Sequence, residues 1–116
     1  MKYACLVYCE PDALKRLSPD AKAALDRDSQ AYDEKLMRDG HFIAASALQP
    51  VSTASTIRVR DGRMSMTDGP FAETKEILAG FIFIEAKDTD EARRIAAGIP
   101  MARHGSVEVR PELDFG

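Results

Sequence analysis

The chain has only two cysteines, Cys5 and Cys9, and two histidines, His41 and His104, among its 116 residues. Both cysteines fall in one predicted strand, four residues apart. Extended backbone separates their Cα atoms by about 13 Å, and a disulfide needs less than about 7 Å. They read as buried, reduced thiols, which fits a reducing cytoplasm. Two thiols in one buried strand and two histidines at opposite ends of the fold cannot converge as three or four ligands, so no metal site is expected, and no cofactor. The longest apolar run is Ile77 to Ile84, far short of the roughly 20 residues of a membrane helix. The N-terminus has one lysine and then a strand broken by Glu10-Pro11, which is not a secretion signal. No block of five basic residues occurs, and 16 Lys and Arg against 19 Asp and Glu leave a net charge of −3. That balance argues against a direct nucleic-acid surface. A Gly-rich phosphate loop and a Gly-x-Ser-x-Gly elbow are absent, and neither cysteine has a base beside it in sequence. There is no repeat, linker or low-complexity segment.

What is present is ordinary globular material: 45% hydrophobic and 30% charged residues, in a length that corresponds to one domain, 1–116. Lys2 to Cys9 reads as a strand apolar on both faces, hence central and covered on both sides. Ser18-Pro19 opens a helix, serine as N-cap and proline at N1. Ala21, Ala24, Leu25, Tyr32 and Leu36 form its apolar stripe, Asp26 and Asp33 belong to its polar face, and Gly40 stops it. Strands follow at His41–Leu48, Ala54–Arg60 and Arg63–Thr67, the last two joined by the hairpin signal Asp61-Gly62. Ile77–Glu85 is the most apolar strand, and its Gly80 signals a bulge or a close backbone approach. Asp88 and Glu91 have capping-box spacing ahead of a second helix with Ala92, Ile95, Ala96 and Ile99 on one face. Ser106–Arg110 is the final strand. The order β-α-β-β-β-β-α-β is a split βαβ with an extra hairpin, a ferredoxin-like α+β plan.

Following strand directions through this order brings several segments to one end of the sheet. They are the exit of the first strand (Tyr8, Glu10), the turn after Leu48, the loop 68–76, and Arg103-His104-Gly105. Titratable groups that converge on one rim define a candidate site. His104 can act as acid or base near neutral pH, or be a plain surface histidine; His41, at the far end, reads as structural. Asp68 is expected to cap its own turn, with any chemistry added to that role. Glu73, Lys75 and Glu76 fit a solvated loop and a ligand-binding loop equally. Phe71 reads as a core plug, and Tyr8 packs with its hydroxyl at the rim.

The loop itself, Asp68-Gly69-Pro70-Phe71-Ala72-Glu73-Thr74-Lys75-Glu76, resembles the signature of the YCII-related family in its DGPF branch. Met1–Tyr8 and Ser106–Pro111 are also similar to that branch, so the resemblance spans nearly the whole chain. It implies a ferredoxin-like fold that pairs into a dimeric α/β barrel. For the branch it suggests functions from small-molecule enzyme to accessory factor in transcription initiation. Lactone-processing members of the wider family are proposed to use a His–Asp pair. Asp68 and His104 match the branch's own pattern rather than those positions, which argues against lactone or dehalogenation chemistry.

A homodimer is expected on physical grounds as well. Two helices cover one face of such a sheet, and the other apolar face needs a cover that a second copy supplies. The leading expectation is a cytoplasmic dimer that binds a small molecule, with cofactor-free acid–base chemistry by His104, Asp68 and Glu76 and binding by Tyr8, Glu73 and Lys75. The alternative is a non-catalytic ligand sensor or protein-binding module linked to transcription initiation; a purely structural dimer is the third reading.

Overall fold

A computed structural model describes residues 1–115. Strand β1 (Lys2–Cys9) is followed by helix α1 (Pro19–Arg38), β2 (Phe42–Ala47), β3 (Ser55–Arg60), β4 (Arg63–Asp68), β5 (Ile77–Glu85), α2 (Thr89–Ala97) and β6 (Ser106–Pro111). Short 3₁₀ turns stand at Val51–Thr53 and Pro100–Arg103. Four strands form one antiparallel sheet in the order β2-β5-β1-β6, and β3 and β4 form a separate two-stranded sheet. This is a mixed α+β architecture consistent with the ferredoxin-like plan.

The helix ends follow their local chemistry. Ser18 accepts the Ala21 amide at 3.1 Å, and Pro19 occupies the first turn of α1. At the other end Gly40, with φ of 79°, lets the His41 N–H reach the Leu36 carbonyl and the Gly40 N–H reach that of Met37, the paired bonds of a Schellman stop. Asp88 accepts the Glu91 amide at 2.8 Å, and the Glu91 carboxylate returns to the Lys87 N–H, one residue ahead of the cap. His41 is tied into the frame: its Nδ1 donates to the Glu85 carbonyl, whose own amide donates back to the His41 carbonyl.

Alternation along β1 decides where the core lies. Tyr3, Cys5 and Val7 are buried on the side covered by the helices, against Leu36, Ile82, Ile84, Ala92 and Ile95, and Cys9 is buried further along the same face. Each aliphatic side chain withdrawn there contributes about 1.5–3 kcal/mol. Ala4, Leu6 and Tyr8 point the other way and stay half-buried. Phe81 and Phe83, whose rings lie 5.1 Å apart, are their counterparts on β5. Among the described residues no helix covers this open side, so β1 is central in the sheet but covered by the chain on one side rather than the two expected.

The bulge expected near Gly80 is present. The β1–β5 register shifts between Val7 and Tyr8, whose partners are Gly80 and Leu78. Gly80 also meets the edge strand closely: a Cβ there would stand 2.7 Å from the Ser46 carbonyl oxygen.

The hairpin β3–β4 behaves differently from the rest. Ile57 pairs with Met66 and Val59 with Met64 across it, and all four are exposed. Its two strands are closed on each other at the base, where Gly69 N–H donates to the Ala54 carbonyl and Thr56 Oγ1 to the Gly69 carbonyl. The radius of gyration, 16.1 Å, exceeds the roughly 13 Å of a compact chain this long, as a projecting arm requires.

Candidate functional site

The signature loop and the ends of β1 and β6 do meet. Ser106 is the register partner of Tyr8, and its hydroxyl lies 3.3 and 3.4 Å from the two carboxylate oxygens of Glu76. Thr74 Oγ1 donates to the Glu76 carbonyl at 2.6 Å and closes the loop on itself. Lys75 Nζ stands 3.7 Å from Glu10 Oε1, while Arg16 holds the other oxygen of Glu10 at 2.7 Å. Hydrogen bonding and charge from Arg16, with a smaller share from Lys75, hold the Glu10 carboxyl below its ordinary range. Glu76, beside Ser106 and so near the end of β1 at Tyr8, and the Lys75–Glu10 pair next to it make a rim of polar groups at this end of the sheet.

Among the described residues, other expected members make no hydrogen bond or ion pair with these groups. His104 caps the 3₁₀ turn through its backbone, and its ring is exposed without a hydrogen bond among the described residues. Asp68 and Glu73 are exposed and equally unengaged. The Asp68 carboxylate does not cap its turn; Gly69, with φ of 106°, and the two bonds at the hairpin base do that work instead. Phe71 is not a core plug: it is 77% exposed, and its carbonyl accepts from Arg58.

A second feature lies behind the rim, on the helix side of the sheet. A hollow of about 420 Å³ opens between α1 and the β2–β5 edge, within the size range of small-molecule sites. Val7, Ile82 and Gly80 contribute to its floor, Leu25, Ser29 and Asp33 of α1 to its wall, and Leu14 and Met101 to its mouth. None of Tyr8, Asp68, Glu73, Lys75, Glu76 and His104 lines it. The two features share a segment, because the loop that carries Leu14 is clamped by the Glu10–Arg16 pair that Lys75 approaches.

Asp33 is the titratable group of interest in the hollow. It is half-buried and has no hydrogen bond or ion pair among the described residues. Burial pushes its carboxyl above the ordinary carboxylate range. Such a group, in a cleft and without a charged partner, is poised to exchange a proton or meet a ligand. Asp26, more exposed, stands at the same wall. By sequence alone both belong to the polar face of α1. The signal that could have found them is spacing: Leu25, Ser29, Tyr32 and Leu36 stand four, three and four residues apart, a core-facing stripe interrupted by a polar residue with Asp33 beside it.

Among the described residues no group of three or more His, Cys, Asp or Glu side chains is placed to hold a metal ion, and no helix is long and apolar enough to cross a membrane. Cys5 and Cys9 are free and buried.

The fold and the rim together define an α+β protein of the ferredoxin-like kind with polar groups gathered at one sheet end. Sequence comparison carries this to a family: the YCII-related domain profile matches residues 1–116, and the chain belongs to that family. It is similar to an uncharacterized protein of Rhizobium meliloti (strain 1021), with 36% identity over 113 residues, 96% of this chain and 91% of the relative.

Proposed function

We propose that this chain is a DGPF-branch member that works as a small-molecule-binding homodimer, its ligand seated in the hollow between α1 and the sheet. The observation that carries this reading is the conjunction of an apolar cavity with one half-buried, unpaired carboxyl, Asp33. A cofactor-free acid–base reaction would use Asp33 as the proton-exchanging group, because its environment brings its pKa toward working pH. The rim would then act on access, through the loop at Leu14 that Glu10, Arg16 and Lys75 hold.

The test is a thermal-shift screen of a metabolite library on wild type, on Ser29→Trp, which fills the hollow, and on Lys75→Ala and Glu76→Gln. Ligand at 100 times its Kd adds about 2.7 kcal/mol, a readable shift. Hits lost in Ser29→Trp support the hollow. Hits that survive Ser29→Trp and vanish in Lys75→Ala or Glu76→Gln would move the site to the rim, where Tyr8, Glu73 and Lys75 would bind and His104, Asp68 and Glu76 would be the chemical groups. The grouping of Ser106 with Glu76 favours that second reading. A screen without hits would instead favour a protein partner, including one from the transcription apparatus.

The dimer is supported by the open side of the sheet. Ala4, Leu6, Ile43 and Phe83 surround a shallow hollow of about 480 Å³ there, and Ile43 and Phe83 are 45% and 40% exposed. A second copy would cover this apolar surface and complete a two-sheet barrel. Light scattering that returns the monomer mass at micromolar concentration would overturn it.

A further inference from the structure

We propose that the hollow between α1 and the sheet selects a small organic cation: a protonated amine carried on an apolar body. The inference rests on reading the hollow as the ligand site and names the class of ligand that site takes.

The charged residues lining the hollow are Asp26 and Asp33, and no lysine, arginine or histidine is among them. The nearby cations are engaged elsewhere. Arg103, at the adjoining 3₁₀ turn, donates to Asp28 at 3.4 Å and to the Pro100 carbonyl. Lys35, two residues along α1 from Asp33, pairs with Asp39 at 2.9 Å. The residues one turn away from Asp33 on its own helix are Ser29, Gln30, Leu36 and Met37, none of which can neutralise it.

The three charge types of ligand then fare differently. An anion entering the hollow would meet like charge, with the Ser29 and Ser46 hydroxyls as donors but no cationic side chain in the lining to offset it. A neutral ligand would further desolvate Asp33 and return at most an uncharged donor's hydrogen bond, weaker than that of an ammonium group. An ammonium group gains a charge-assisted hydrogen bond to the carboxylate and offsets the burial that raises the Asp33 pKa. Ser29 offers a hydroxyl acceptor on the same wall, four residues from Asp33, which suits a donor-only group such as ammonium. Val7, Leu14, Leu25, Ile82 and Met101 supply the surface for an apolar body.

Three probes of one shape separate the possibilities: benzylammonium, benzyl alcohol and benzoate, titrated into full-length ¹⁵N-labelled protein at pH 7 and followed by amide shifts. The expected result is that benzylammonium binds most tightly and moves the amides of Ser29, Asp33 and Gly80. Its affinity falls about tenfold or more in Asp33→Asn, and it also weakens as pH falls and Asp33 takes up its proton. Asp26→Asn gives a smaller loss. Benzyl alcohol or benzoate binding the same amides as tightly as benzylammonium, or binding unaltered in Asp33→Asn, overturns the cation assignment while leaving the hollow as a site. If no probe moves any hollow amide, the hollow itself is not the site and the cation proposal falls with it.

Discussion

Gly105 lies directly against the carbonyl oxygen of Tyr8, with no space between them for a side chain. This contact pins the loop after the 3₁₀ turn to the exit of β1. It sets Ser106 opposite Tyr8 and so brings its hydroxyl to Glu76. A backbone carbonyl cannot swing aside as a flexible side chain can. Gly105→Ala is therefore expected to destabilise the protein by about 1–3 kcal/mol, the cost of forcing atoms into a filled site. The denaturation midpoint in urea, compared with wild type, measures it; an unchanged midpoint would contradict the close approach.

Asp33→Asn should raise stability while weakening ligand binding. In the unfolded chain this carboxyl ionises near an ordinary value of about 3.9; in the folded chain burial raises it. The folded state thus holds the proton more tightly. Its contribution is fully present below the unfolded pKa and is lost as pH rises through the folded one. Asparagine escapes that loss, so the variant should melt at a higher temperature than wild type at pH 7, with the gap closing below about pH 4. Melting curves across that range read both the sign and the window. A site residue whose removal stabilises the fold is the usual signature of stability given up for function.

The thiols should be silent in the native protein. Burial pushes Cys5 up to about 11, and burial and then the charge of Glu76 push Cys9 up. Thiolate is the reactive form, so a thiol reagent at pH 8 should modify neither residue until denaturant is added, and then both. Mass spectrometry of the labelled protein counts the additions.

Phe83→Asp should leave the fold intact and abolish the proposed dimer. Phe83 sits on the open side, 40% exposed within the chain, so a charge there is solvated in a monomer and desolvated under a second copy. Light scattering should give the dimer mass for wild type and the monomer mass for the variant, with unchanged far-ultraviolet circular dichroism. Equal masses for the two proteins would place any pairing elsewhere.

Much of the fold was legible because its signals are local. Ser18-Pro19, Gly40, Asp61-Gly62 and the Asp88/Glu91 pair each act within a turn of chain, and each marks a boundary close to where the structure has it. The rim was legible in part, since strand direction follows from counting reversals. What could not be read was which side of an element a polar residue serves. Asp33 looks like any surface acid until the packing of Leu25 and Leu36 fixes the rotation of α1. Phe71 looks like a core residue until Gly69 turns its loop outward. Asp68 looks like the cap of its own turn until the Gly69 N–H bond to Ala54 and the Thr56 hydroxyl bond to Gly69 make that cap unnecessary. Nor did the 3₁₀ turn at Pro100–Arg103 announce itself, because a run this short carries no periodicity.

The arm formed by β3 and β4 has a consequence for the order in which the molecule comes apart. Two strands alone are marginal in water, and this pair shares little beyond its base with the four-stranded sheet. Its amides should trade hydrogen for deuterium long before those of β1, which open only when the whole sheet does. The chain thus carries two clocks, a fast one in the arm and a slow one in the core. A protease that nicks the Asp61-Gly62 tip parts β3 from β4 at their turn, each strand still joined to the body at its base, while the four-stranded sheet and its helices keep their structure.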